Sequence, residues 1–180
     1  MATVEPIKEI DDIKQIEKNL SKQSYRDLLL FTLGINSGLR ISDILRLNIK
    51  DVKNKNYISL TEKKTGKSKK FAINKKLQIM FKKYTKGKYD NEPLFKTKFN
   101  NRMDRIRAYH IINRACEEVN SEIHAGTHTL RKTFGYHHYK QFKDIAMLQK
   151  IFNHSTPDTT LRYIGIEQDE INDAYIKFVL

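Results

Sequence analysis

The sequence predicts an α+β domain, mainly α-helical with one small antiparallel β-sheet. Two observations carry this. Apolar residues recur at three- and four-residue spacing along most of the chain, and only the stretch from Tyr57 to Ile73 carries β-formers flanking a polar turn. A third bounds the architecture: at 180 residues, with 39% hydrophobic residues and no repeat or low-complexity linker, the chain suits one domain with its own core.

The elements follow in order. Ile7, Ile10, Ile13, Ile16 and Leu20 predict an amphipathic helix over 6–20. Ser24-Tyr25-Arg26-Asp27 resembles a capping box and opens a helix whose Leu28–Leu33 run is nearly all apolar, hence buried. Gly34 and Ser37-Gly38 punctuate its end. A shorter helix should turn Ile41, Ile44, Leu45 and Leu47 inward. Residues 57–60 and 70–73 predict a hairpin with a long basic turn, and helices are expected over 75–84 and 102–120 around a loop. Thr127 is read as the N-cap of a helix over 128–140. Helices over 143–153 and from Thr156-Pro157 through Tyr163 follow, with a last short one over 168–179.

Composition restricts the function. No segment approaches the roughly 18 apolar residues of a membrane span, and the N-terminus lacks the basic flank and apolar run of a signal peptide. The single cysteine, Cys116, excludes an internal disulfide and a cysteine-based metal site, which fits a cytoplasmic setting. The net charge is +13 and is concentrated: residues 50–88 hold 14 lysines against Asp51 and Glu62, whereas 164–180 are acidic. So dense a run of cations repels itself unless a polyanion, such as nucleic acid, neutralises it.

Four separated pieces carry chemistry: Ser37-Gly38-Leu39-Arg40, Lys64-Thr65-Gly66-Lys67, His128-Thr129-Leu130-Arg131, and Asn153-His154 with Tyr163 nine residues on. Transfer of a phosphodiester passes through a phosphorane whose extra charge needs fixed donors at short range. Arginine suits this, because its planar fork serves two adjacent oxygens, and in a chain of 25 Lys and 9 Arg both Arg40 and Arg131 fall inside these pieces. His128 and Arg131, spaced i and i+3 at a helix start, share the face that attracts phosphate. Any one piece alone is most simply surface decoration; the ordered set is specific.

Taken in this order, from about Ser24 to Tyr163, the pieces resemble the tyrosine recombinase, or phage integrase, family and its catalytic domain. The resemblance implies a site-specific recombinase that cleaves and rejoins DNA through a 3′-phosphotyrosine, without metal, cofactor or ATP, in integration or excision of a phage or mobile element. It implies that Arg40, Arg131 and His154 hold the scissile phosphate. His128 would accept the Tyr163 proton, Tyr163 would attack phosphorus, and Lys64 would protonate the departing 5′ oxygen. Lys63, Lys67, Lys69 and Lys70 are expected on the DNA backbone, with double-stranded DNA as partner and a tetramer on it. The acidic last segment either packs on its own domain or docks on a neighbouring subunit.

Two departures stand out. Asn153 occupies a position where the family often has Gly, but Asn tolerates left-handed backbone. Only about 23 residues precede Ser24, too few for the family's N-terminal core-binding domain, so 1–180 is expected to be the catalytic domain alone. The competing readings are a non-catalytic DNA-binding module, a type IB topoisomerase and a basic RNA-binding protein. None of the binding modules has reason to keep all six residues.

Overall fold

The computed structural model describes residues 4–166, 173 and 175–179. The helices are α1 (Ile10–Gln23), α2 (Tyr25–Ser37), α3 (Ile41–Ile44), α4 (Lys75–Thr85), α5 (Arg105–Glu117), α6 (Thr129–Phe142), α7 (Ile145–Phe152) and α8 (Pro157–Ile164). Strands β1 (Tyr57–Thr61) and β2 (Ser68–Ala72) pair antiparallel, with Ser59 opposite Lys70 and Thr61 opposite Ser68. The expected α+β class holds; of the helix expected over 168–179, residues 173 and 175–177 are helical, whereas 168–172 and 174 lie outside the described residues.

Two apolar cores meet along α6. The larger gathers Ile16 and Leu20 of α1, Leu29, Leu30 and Leu33 of α2, Ile58 of β1 and Ile112 of α5; Ile41, Ile44, Leu45 and Leu47 all point into it. The smaller joins Leu148 and Phe152 of α7 to Ile164 of α8 and Ile166, under Phe134, Tyr139 and Tyr163. Gly135 lets these elements close on α6: a Cβ there would lie 2.6 Å from Ile164 and 2.7 Å from Phe152.

Helix boundaries follow local chemistry. Ser24 accepts from the Asp27 amide, and Thr156 from the Thr159 amide ahead of Pro157, both as expected. Several starts differ from expectation, α5 at Arg105 rather than 102 and α7 at Ile145 rather than 143 among them, and two have causes in the tertiary structure. α1 begins at Ile10 rather than 6, because the Ile7 amide donates to Thr133 Oγ1 at 2.9 Å and the Ile7 carbonyl lies 2.9 Å from His137 Nε2. The first residues therefore cross α6, and Ile10 is left half exposed. α6 begins at Thr129 with His128, not Thr127, at the N-cap; the His128 side chain makes no capping bond, because it is engaged elsewhere. Glu62 to Lys67 form the turn between β1 and β2, tighter at its base than the 57–60 and 70–73 strands would leave it.

Candidate active site

All six residues singled out from sequence converge where α2, the hairpin turn, α6 and α8 meet. Gly38 ends α2 with φ +61°, a left-handed turn that L side chains resist, and a Cβ there would also strike Phe134 at 2.5 Å. That turn delivers Arg40 and presents the Gly38 carbonyl to Arg131 at 2.6 Å. Arg131, only 2% exposed, donates a second bond to the Phe152 carbonyl at 2.8 Å and lies over the Phe152 ring. Two carbonyl dipoles therefore aim the guanidinium from the last turns of α2 and α7.

Tyr163 on α8 meets His128 from the start of α6, with Oη 3.1 Å from Nδ1. Burial raises the Tyr163 phenol above its ordinary value, although Arg131 and Arg40 pull it down. Burial and the Arg131 charge lower His128, so the ring is neutral near pH 7 and can accept a proton from the phenol. His154 follows Asn153, which adopts the left-handed conformation (φ +54°) that closes α7, as expected of Asn at that position. Its Nδ1 lies 3.1 Å from Thr160 Oγ1, which leaves Nε2 for a ligand. Burial, then Arg131 and Arg40, lower His154 to about 4. The rings of His154 and Phe152 stand edge-on to Tyr163 and fix its plane.

Lys64 is exposed on the turn, close enough to depress both histidines electrostatically. The other hairpin lysines divide. Lys67 Nζ donates to Asn153 Oδ1 at 2.9 Å, and Lys69 Nζ to the Ile151 carbonyl at 2.9 Å, so both tie the hairpin to the end of α7. Burial and Arg131 lower Lys69 to about 8. Lys70 lies over the Tyr57 ring, and Lys63 is exposed.

Two acids completing the site were missed from sequence. Asp43, three residues beyond Arg40 and 2% exposed, accepts the Lys63 amide at 2.9 Å. Glu62, 3% exposed, lies 2.9 Å from Arg40 Nη1 and accepts from Thr65 Oγ1 at 2.8 Å. A signal for Glu62 existed: it is one of two acids in the basic 50–88 stretch.

With Arg40, Arg131, Lys64 and Lys69 against Asp43 and Glu62, cations prevail. An uncompensated buried charge costs several kcal/mol, so an arriving anion is favoured. The depression beside the site, lined by Glu62, Lys67, Lys69, Lys150 and Asn153, holds about 110 Å³. Pockets that enclose small ligands start at about 300 Å³. The geometry therefore suits a phosphate carried on an extended surface, with a tyrosine and a histidine placed to exchange a proton beside it.

The phage integrase family model matches residues 7–170. The chain is 47% identical over 179 residues to the probable integrase/recombinase YoeC of Bacillus subtilis (strain 168), covering 99% of this chain and 98% of that protein. It is 28% identical to the tyrosine recombinase XerA of Pyrococcus horikoshii, covering 93% of this chain but only 59% of the relative. A solved XerA recombinase structure superposes with a TM-score of 0.79 at 20% identity, over 97% of this chain and 66% of that one. On the family match and the extent of the likeness to YoeC, the chain belongs to the phage integrase family, the tyrosine recombinases, which are DNA strand-transfer enzymes.

Proposed function

We propose that this domain cuts and rejoins DNA strands through Tyr163. The observation that carries the reading is the 3.1 Å approach of Tyr163 Oη to a neutral His128 beside two arginines. Arg40, Arg131 and His154 hold the non-bridging oxygens of the scissile phosphate. Tyr163 Oη attacks phosphorus and its proton passes to His128 Nδ1. The bond from phosphorus to the 5′ oxygen breaks, and Lys64 gives that oxygen a proton. The 3′-phosphotyrosine keeps the energy of the phosphodiester, so a 5′ hydroxyl reverses the same steps without ATP.

The partner is double-stranded DNA, held along its backbone by Lys63, Lys67 and Lys70 and by Lys69 deeper in the site. Assembly into a tetramer on DNA would use the chain end, where Tyr175, Ile176, Phe178 and Val179 are all more than two-thirds exposed. The biological reading is integration or excision of a phage or mobile element in the cytoplasm, with residues 1–180 acting as the catalytic domain. Among the described residues no helix is long and apolar enough to cross a membrane.

The test is a covalent adduct. Wild-type chain is incubated with a nicked duplex bearing sequence from the ends of its element, and the products are run on a denaturing gel. Wild type is expected to form an adduct, and Tyr163→Phe none, while binding the same duplex. An adduct that persists in Tyr163→Phe assigns the nucleophile elsewhere, with Tyr175 the first residue to replace. No adduct from wild type on a duplex it binds specifically overturns the reading.

A further inference from the structure

We propose that Glu62 is a positioning residue that couples the phosphate-holding Arg40 to the turn carrying Lys64; the inference rests on the strand-transfer reading above. Glu62 sits at the base of that turn and closes it with its own backbone. Its amide donates to the Lys67 carbonyl at 3.0 Å, and its carbonyl accepts from the Gly66 amide at 2.9 Å. The carboxylate then faces two ways. Oε2 accepts from the Thr65 hydroxyl, next to Lys64, at 2.8 Å, and Oε1 lies 2.9 Å from Arg40 Nη1.

The side chain is 3% exposed, and a buried carboxylate persists only when its surroundings compensate it. Burial would raise its proton affinity, yet Thr65 and Arg40 outweigh burial and hold it below the usual range. A buried carboxylate that stays ionised is a fixed charge, and fixed charges position what they touch. The contact with Arg40 is close but lacks hydrogen-bond alignment, so Oε1 and Nη1 are both buried without one. Arginine has five N–H donors, and with Nη1 beside Glu62 those on Nε and Nη2 remain for phosphate.

An exposed lysine on a six-residue turn is a poor general acid unless the turn is held, because a misplaced donor loses the proton-transfer geometry. Here the restraint that also reaches Arg40 is the Glu62 carboxylate. Moving the turn moves Glu62, and Glu62 moves Arg40, so the proton donor and the phosphate clamp are set in one relation. Asp43 braces the same turn from α3, through the Lys63 amide.

The coupling is tested with two variants and two leaving groups. Duplexes carry either the normal 5′ oxygen or a 5′ sulfur at the scissile position; sulfur departs without a proton. Thr65→Val cuts the tie to the turn and spares the Arg40 contact. It is expected to slow cleavage of the 5′ oxygen duplex by about tenfold or more, part of the 10²–10⁴ a general acid supplies, and to leave the 5′ sulfur duplex within about twofold. Glu62→Gln removes the charge facing Arg40 and is expected to slow both. Equal losses on both duplexes in Thr65→Val, or full activity in Glu62→Gln, overturn the coupling. If wild type forms no adduct on either duplex, the strand-transfer reading itself fails. The turn can be judged without DNA, from hydrogen exchange of the Gly66 amide. Faster exchange is expected in Thr65→Val, and unchanged exchange there counts against the tie.

Discussion

His154 shows how one side chain records its surroundings. Its ring is lowered to about 4 by burial and by Arg131 and Arg40. The unfolded chain, with an ordinary value near 6.5, takes up the proton first as pH falls. Stability is therefore complete above about pH 6.5 and is lost progressively between about 6.5 and 4. At pH 5 the gap of about 1.5 units corresponds to on the order of 2 kcal/mol. Thermal unfolding at pH 7.5 and pH 5 should show a clear drop in Tm for the wild type and a smaller one for His154→Gln. The remainder is carried by His128 and His138, which burial lowers in the same direction. An equal drop in both proteins would contradict the assignment. A bound phosphate reverses the logic, because its charge favours the imidazolium, so DNA should raise the proton affinity of His154 back towards its ordinary value. At this scale the motif residues were readable in the sequence, since arginine, histidine and tyrosine suit few other tasks together. Glu62 and Asp43 were not, because an acid beside an arginine in space leaves only a weak mark along the chain.

At the scale of elements, α6 is the axis on which the site is hung. It carries Arg131, has His128 at its N-cap position, and receives α7 and α8 against Gly135. Gly135→Ala should gain up to about 1 kcal/mol in helix propensity. It should lose more, about 1–3 kcal/mol, from the contacts at 2.6 and 2.7 Å that its methyl would force on Ile164 and Phe152. The net expectation is a lower urea midpoint with an unchanged m value. Adduct formation should fall further than stability alone explains, because Ile164 adjoins Tyr163. A variant as stable and active as wild type would show that α8 can shift freely. Element types were readable here because apolar spacing reports burial directly. Two starts that tertiary contacts set were not. Ile7 fits the helical period of α1, yet its backbone bonds to Thr133 and His137 hold it outside the helix. Thr127 is the better capping residue, yet His128 takes the position and turns to Tyr163.

At the scale of the whole molecule the net charge is +13, and the expected behaviour with DNA follows from that. If roughly six phosphates are neutralised, the logarithm of the binding constant should fall with the logarithm of salt concentration at a slope near −5. Reversing Lys63 and Lys70 to Glu should weaken binding to all sequences alike and flatten the slope, as measured by titrations between low and physiological salt. A salt-independent affinity would contradict a backbone-held complex. Reversing Lys67 or Lys69 should do more, since each also fastens the hairpin to α7.

The sequence by itself determined the helical class, the single hairpin, the excess of positive charge and the six chemistry-bearing residues. Each of these is written in residue type and local spacing, which do not depend on distant partners. Only the tertiary structure decided the rest. Arg131 finds its carbonyls 93 and 21 residues away, Lys69 reaches across 82 residues to Ile151, and Glu62 turns inward to Arg40 rather than out to solvent. These contacts are set by how α2, the hairpin and α7 pack around α6. Burial then decides which groups ionise, because the cost of a charge depends on everything that surrounds it.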